Sequence, residues 1–123
     1  MHLLNHVFWS LFFFPLQLGE PVIKITPTDR ELHVTVNETV KLNCTAWQTA
    51  NKKLKKIQWF NPQDKVMDAT DECNAGSPSG ESRLSCIVTV SAPKETSVIY
   101  TCKATNVLGY CSNKKIRLVF QGQ

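Results

Sequence analysis

Histidine is scarce in this chain, and long apolar runs are missing beyond its first twenty residues. Of three histidines, His2 and His6 fall in the opening stretch, which leaves His33 with no evident partner. A paired-histidine metal site cannot be assembled from that. The sequence also lacks a Gly-rich phosphate loop, a nucleophile elbow and a metal-type cysteine pair. Carboxylates are scattered; Asp71-Glu72 is the only adjacent pair, in a polar connection where a solvated turn accounts for it. The expectation is a non-enzyme with no catalytic residue, metal or cofactor. After residue 20 no stretch approaches the roughly 20 apolar residues of a bilayer span. Gln121-Gly122-Gln123 closes the chain with neither a stop-transfer segment nor the spacer and tail of a lipid anchor. No membrane span is expected.

The opening stretch has a different character. Residues 7–14, Val-Phe-Trp-Ser-Leu-Phe-Phe-Phe, form a short apolar core that Pro15 breaks, before Gly19, Glu20 and Pro21. It is too short for a membrane anchor and reads as a secretory signal peptide over residues 1–19. His2 and His6 stand where Lys or Arg is customary, and Gln17 is a poor residue near a cleavage point at Gly19. What remains, residues 20–123, is the length of one domain. The expected product is secreted and extracellular, and its five cysteines can pair in that oxidising compartment.

Strand patterns fill the rest. Val22–Thr26 and Glu31–Val36 read as a first strand split at Pro27. Thr39–Ala46 alternates cleanly, with Val40, Leu42, Cys44 and Ala46 inward and Lys41, Asn43 and Thr45 outward. Lys55–Phe60 places Ile57 and Trp59 inward, and Asn61-Pro62-Gln63-Asp64 makes a turn. Val66-Met67 begins a weaker strand region towards Cys73, and the polar loop 74–81 leads to a strand at Arg83–Val90. Ile99–Asn106 and Lys114–Phe120 form a closing hairpin around Leu108-Gly109.

Within this layout Cys44 and Cys102 stand 58 positions apart, Trp59 follows the first by 15, and Tyr100 precedes the second by two. This set resembles the immunoglobulin superfamily over roughly residues 22–120, and Ala104-Thr105-Asn106-Val107-Leu108-Gly109 is similar to the closing hairpin of its intermediate set. The resemblance implies an all-β sandwich of two antiparallel sheets, a core bridge between Cys44 and Cys102, Trp59 packed on it, and a Tyr100 hydroxyl bonded at a corner. Thr96 and Val98 replace the Asp-x-Gly or Asp-x-Ala common ahead of that tyrosine.

Cys73, Cys86 and Cys111 remain. Cys73 and Cys86 are symmetric about the loop Gly76–Gly80 and would face each other across a hairpin; Cys73 with Cys111 is the competing pair, and Cys86 as a buried apolar thiol a third reading. An odd cysteine, Cys111 by this count, suggests either a disulfide-linked dimer, a reactive thiol or an inert buried one.

Asn37-Glu38-Thr39 and Asn43-Cys44-Thr45 are acceptor sequons for N-glycans. Sugars there would cover the sheet that holds the Thr39–Ala46 strand and leave the opposite sheet to bind. That sheet gathers the basic residues: Lys52, Lys53, Lys55 and Lys56, then Lys114, Lys115 and Arg117, with Lys103 between them. Lys and Arg total 14 against 10 acids. Clustered cations attract polyanions in a salt-sensitive way. Outside the cell that means heparan sulfate or an acidic protein, not nucleic acid; a solvated lysine loop is the plainer reading. In immunoglobulin sandwiches the loop before the Trp59 strand and the final hairpin loop share one end, so the resemblance gathers these charges at one corner, near which Trp47, Leu54, Leu108 and Tyr110 are the protein-contact candidates. Together these readings describe a secreted, single-domain recognition or adhesion module with an extracellular or cell-surface protein partner. The competing reading is the first domain of a larger adhesion receptor, released or truncated.

Overall fold

The computed structural model describes residues 19–48, 53–67 and 82–122. Among these residues seven strands follow one another: β1 (Val22–Thr26), β2 (Glu31–Thr35), β3 (Val40–Trp47), β4 (Leu54–Phe60), β5 (Arg83–Val90), β6 (Thr96–Asn106) and β7 (Cys111–Gln121). They make two sheets, β1-β3-β5 and β2-β7-β6-β4. The chain changes sheet between β1 and β2 at Pro27, whose preceding peptide is cis. In consequence β2 runs parallel to β7, pairing Glu31 with Arg117 and Thr35 with Gln121, while every other pair is antiparallel. The expected sandwich is there, with one parallel edge.

Alternation decides the faces. In β3, Leu42, Cys44 and Ala46 are buried and Lys41 is exposed, as a period of two requires. The same rhythm buries Leu84, Cys86, Val88 and Val90 of β5 and Ile116, Leu118 and Phe120 of β7. Between the sheets Trp59, Leu42, Leu54, Ile116 and Leu118 are fully enclosed, each such aliphatic side chain contributing about 1.5–3 kcal/mol through its removal from water. Cys44 and Cys102 are joined across the core with Cα atoms 6.5 Å apart. The Trp59 indole N–H donates to the Cys86 carbonyl at 2.9 Å, which ties β4 to β5 in the other sheet. A buried indole needs such an acceptor, and the facing strand supplies it.

Two strands are longer than their sequence patterns suggest. β6 starts at Thr96 and β7 at Cys111 because ten consecutive pairs, from Thr96–Phe120 to Thr105–Cys111, hold the hairpin together. Polar Ser97, Asn113 and Lys114 are carried by that ladder, which alternation alone does not reveal. Asn61 Oδ1 accepts from the Gln63 and Lys65 amides at 2.9 and 3.0 Å and builds the expected turn, with Asp64 at φ 62°. Tyr100 differs from expectation. It is half-buried, lines a cavity of about 550 Å³ with Met67, Pro93 and Phe120, and burial raises its pKa above the ordinary 10.0. The corner bond of its hydroxyl is not among the hydrogen bonds of the described residues, where Thr96 and Val98 stand in place of the usual partners. Among the described residues no helix is long and apolar enough to cross a membrane.

Candidate recognition surfaces

Among the described residues, the β6–β7 turn gathers three exposed apolar side chains in one place. Val107, Leu108 and Tyr110 are 48, 61 and 54 % exposed. Asn106, fully buried beneath them, holds the turn. Its Oδ1 accepts from the Leu108 and Tyr110 amides, both at 3.0 Å, and its Nδ2 donates to the Gly19 carbonyl at 2.9 Å and to Gln48 Oε1 at 3.3 Å. The backbone closes the same loop, with Asn106 N–H donating to Tyr110 O and Gly109 N–H to Asn106 O. Gly109 sits at φ 96°, a left-handed conformation that costs glycine little. Nothing lies within 4 Å of where a Cβ would be, so conformation and not space favours glycine here.

Neighbouring segments are pinned to this turn. The Val107 amide donates to the Lys53 carbonyl at 2.8 Å. Ser112 Oγ donates to Pro21 O at 2.6 Å, and a Cβ on Gly19 would sit 3.9 Å from the Tyr110 ring. Residues 19–21 therefore lie against the hairpin. Asn106 was legible in the sequence as part of a hairpin motif, but its role as the buried hub was not. An asparagine four residues before a Tyr and two before a Leu carries no polar signal that separates it from any loop amide.

Of the four contact candidates, Leu108 and Tyr110 stand at this tip. Leu54 does not: it is fully buried, because its register with Asn106 puts it on the inner face under the turn. A contact role for Leu54 is ruled out. Trp47 is 38 % exposed but lies on the outer face of the three-stranded sheet, in register with Val22 and Arg83, and not among the basic residues of the other sheet.

The basic residues form a stripe more than a corner. On the outer face of the four-stranded sheet Lys56 pairs with Thr105, Lys103 with Gln58 and Asn113, Lys115 with Thr101, and Arg117 with Ile99. Each cation is thus the diagonal or next same-face neighbour of the one before, at about 7–8 Å for the diagonals. Arg117 Nη1 also donates to Ser97 Oγ at 3.0 Å, and Glu31 lies beside it in register. Lys53 is at the tip, Lys55 is exposed at the bulge between Leu54 and Lys56, and Lys114 falls on the same side of β7 as Ile116, opposite to Lys115. Lys52 lies outside the described residues. On β2, Glu31 Oε2 is 3.4 Å from His33 Nε2, so that histidine has a neighbour after all.

Cys111 is free and exposed as the first residue of β7, opposite Thr105, which excludes the Cys73–Cys111 bridge. Cys86 is buried and disulfide-bonded, so it is no apolar free thiol. Its expected partner, Cys73, lies outside the described residues. Asn37 is exposed in the turn before β3, at φ 71°. Asn43 is half-buried in the middle of the outer face of the three-stranded sheet, between Thr26 and Ile87.

Two sheets packed face to face, bridged by the Cys44–Cys102 disulfide and sealed by a tryptophan, define an immunoglobulin-like β-sandwich. A model of the immunoglobulin domain matches residues 20–106, and the chain belongs to that family. Such domains generally serve as protein-interaction modules. No curated protein matches the chain. Among solved structures, fibronectin(III)-like modules of CbhA from Clostridium thermocellum superpose with TM-score 0.58 at 13 % identity, over 85 % of this chain and 48 % of theirs. This chain thus spans about half the length of that neighbour. The PKD domain of an M14-like peptidase from a Thermoplasmatales archaeon gives 0.51 at 11 % identity, over 83 % and 93 %. The BIgI domain of the beta protein from S. agalactiae, solved bound to CEACAM1, gives 0.50 at 17 %, over 84 % and 98 %. These likenesses concern the fold.

Proposed function

We propose that the chain is a secreted recognition module that engages an extracellular or cell-surface protein through the β6–β7 tip. The observation that carries this is the tip itself: three exposed apolar side chains, Val107, Leu108 and Tyr110, on a turn fixed by a fully buried asparagine. An apolar surface that is already rigid loses little entropy on binding, and aromatic anchors dominate interface energy. Adhesion or signalling at a cell surface is the setting that suits a small extracellular domain with glycans at Asn37 and Asn43. Sulfated glycosaminoglycan is a second ligand, held by the stripe of Lys56, Lys103, Lys115 and Arg117 and contributing mainly salt-sensitive attraction. The free thiol of Cys111 provides for a disulfide-linked pair.

The test is binding of fluorescent, glycosylated domain to cells before and after heparan sulfate removal. Saturable binding that survives the enzyme and is lost in a Leu108→Ser/Tyr110→Ser variant of unchanged melting temperature is the expected result. Binding that ignores the tip substitutions would overturn the reading.

A further inference from the structure

A groove of about 560 Å³ runs along the outer face of the three-stranded sheet, lined by Lys24, Thr26, Asn43, Thr45, Trp47 and Arg83. It contains an anomaly. Asn43 Oδ1 is buried without a hydrogen-bond partner. A buried acceptor left unpaired loses the hydrogen bond water would give it, so such a group calls for an explanation. Asn43 is also the acceptor of Asn43-Cys44-Thr45. Thr45 and Trp47 follow it on the same face, at the two-residue period of a strand.

We propose that Asn43 carries an N-linked glycan whose first two sugars lie in this groove, over Thr45 and against Trp47. The linkage consumes only the amide nitrogen, so Oδ1 remains an acceptor, and the N-acetyl N–H of the attached sugar is a donor delivered to it. Four residues of extended strand cover about 13 Å from Asn43 to Trp47, a span suited to two linked pyranose rings. The apolar C–H face of a pyranose suits an indole face, while its hydroxyls need donors and acceptors at the rim. Lys24 and Arg83, one on each side of β3, offer donors there; Arg83 is directly opposite Trp47. Thr45 and Ser85 already share a hydrogen bond of 3.3 Å, which leaves the groove floor level and polar. A ring resting on Trp47 would also cover an aromatic that is 38 % exposed on a surface the sandwich does not use.

This inference rests on passage through the secretory pathway, and Asn37 separates the two questions. Full-length chain is expressed in a eukaryotic secretory host and glycosylation is mapped by peptide mass spectrometry. The expected result is occupancy at Asn43 as well as at exposed Asn37. Asn43→Gln should then lower the melting temperature by several degrees and increase acrylamide quenching of the Trp47 fluorescence. Trp47→Ala should abolish that thermal difference, because the two substitutions remove one contact. Asn37 occupied with Asn43 empty would overturn the groove glycan while leaving secretion intact. Additive effects of Asn43→Gln and Trp47→Ala on an occupied site would overturn the packing. If neither asparagine is occupied, the secretory reading falls and this one with it.

Discussion

Asn106 makes four side-chain hydrogen bonds from a fully buried position, so its truncation leaves two turn amides without their acceptor. Asn106→Ala should destabilise the domain by about 1–3 kcal/mol, the cost of unpaired buried polar groups. Hydrogen exchange should also speed up at Leu108 and Tyr110 before it does elsewhere. Asn106→Asp keeps the acceptor and loses the donors, so it should restore protection at those amides without restoring the bond to Gln48 Oε1. Equal exchange in wild type and Asn106→Ala would dismiss the hub. Tyr100 gives a pH effect. Burial raises its folded pKa above 10.0, so the unfolded chain ionises first as pH rises. Its contribution is fully present below pH 10 and is lost as pH climbs through the folded pKa. Chemical denaturation across pH 9–11.5 should show a steeper fall for wild type than for Tyr100→Phe, a comparison that cancels the lysines.

At the scale of elements, the β6–β7 hairpin combines a structural ladder with a free tip and a free thiol. Register separates those roles along ten consecutive pairs. Leu54→Ala, under the tip, should cost about 2–5 kcal/mol as a core deletion, whereas Leu108→Ala, above it, should leave urea denaturation within about 0.5 kcal/mol. A large loss from Leu108→Ala would place that residue in the core and remove the tip as a binding surface. Cys111 is exposed at the start of β7, so purified oxidised protein should contain a reducible dimer that Cys111→Ser eliminates. A monomer that resists alkylation would show the thiol to be out of reach.

For the whole molecule, the Cys44–Cys102 bridge and the charge distribution are the two properties to test. Replacing both cysteines by alanine should cost about 2–5 kcal/mol, as for native bridges in small domains. The stripe predicts a heparin-affinity difference at constant charge. Changing Lys56, Lys103, Lys115 and Arg117 to Gln should advance elution much more than changing Lys24, Lys41, Lys65 and Lys94, four cations outside the stripe. Attraction of this kind is screened beyond about 10 Å at 0.1 M salt, so the wild-type advantage should shrink steeply in salt. Equal shifts for the two sets would mean that net charge alone retains the protein.

The sequence by itself determined the sandwich, because a period of two forces Leu42, Cys44 and Ala46 to one side of β3 and Lys41 to the other. The core bridge and the tryptophan on it were legible through the resemblance to the immunoglobulin superfamily that Cys44, Trp59, Tyr100 and Cys102 carry together. The exposure of Leu108 and Tyr110 was legible from the turn chemistry around Gly109. Tertiary structure decided what depends on contacts between distant segments. Leu54 and Leu108 are the same residue type beside the same polar loops, and only the register of β4 against β6 buries one and exposes the other. Alternation alone sets Lys114 and Lys115 on opposite faces, and the ladder against β6 decides that Lys115 is the one on the outer face. Trp47 left the basic cluster because β3 belongs to the other sheet. Alternation tells which residues share a face, but the partner across the ladder tells which face meets water.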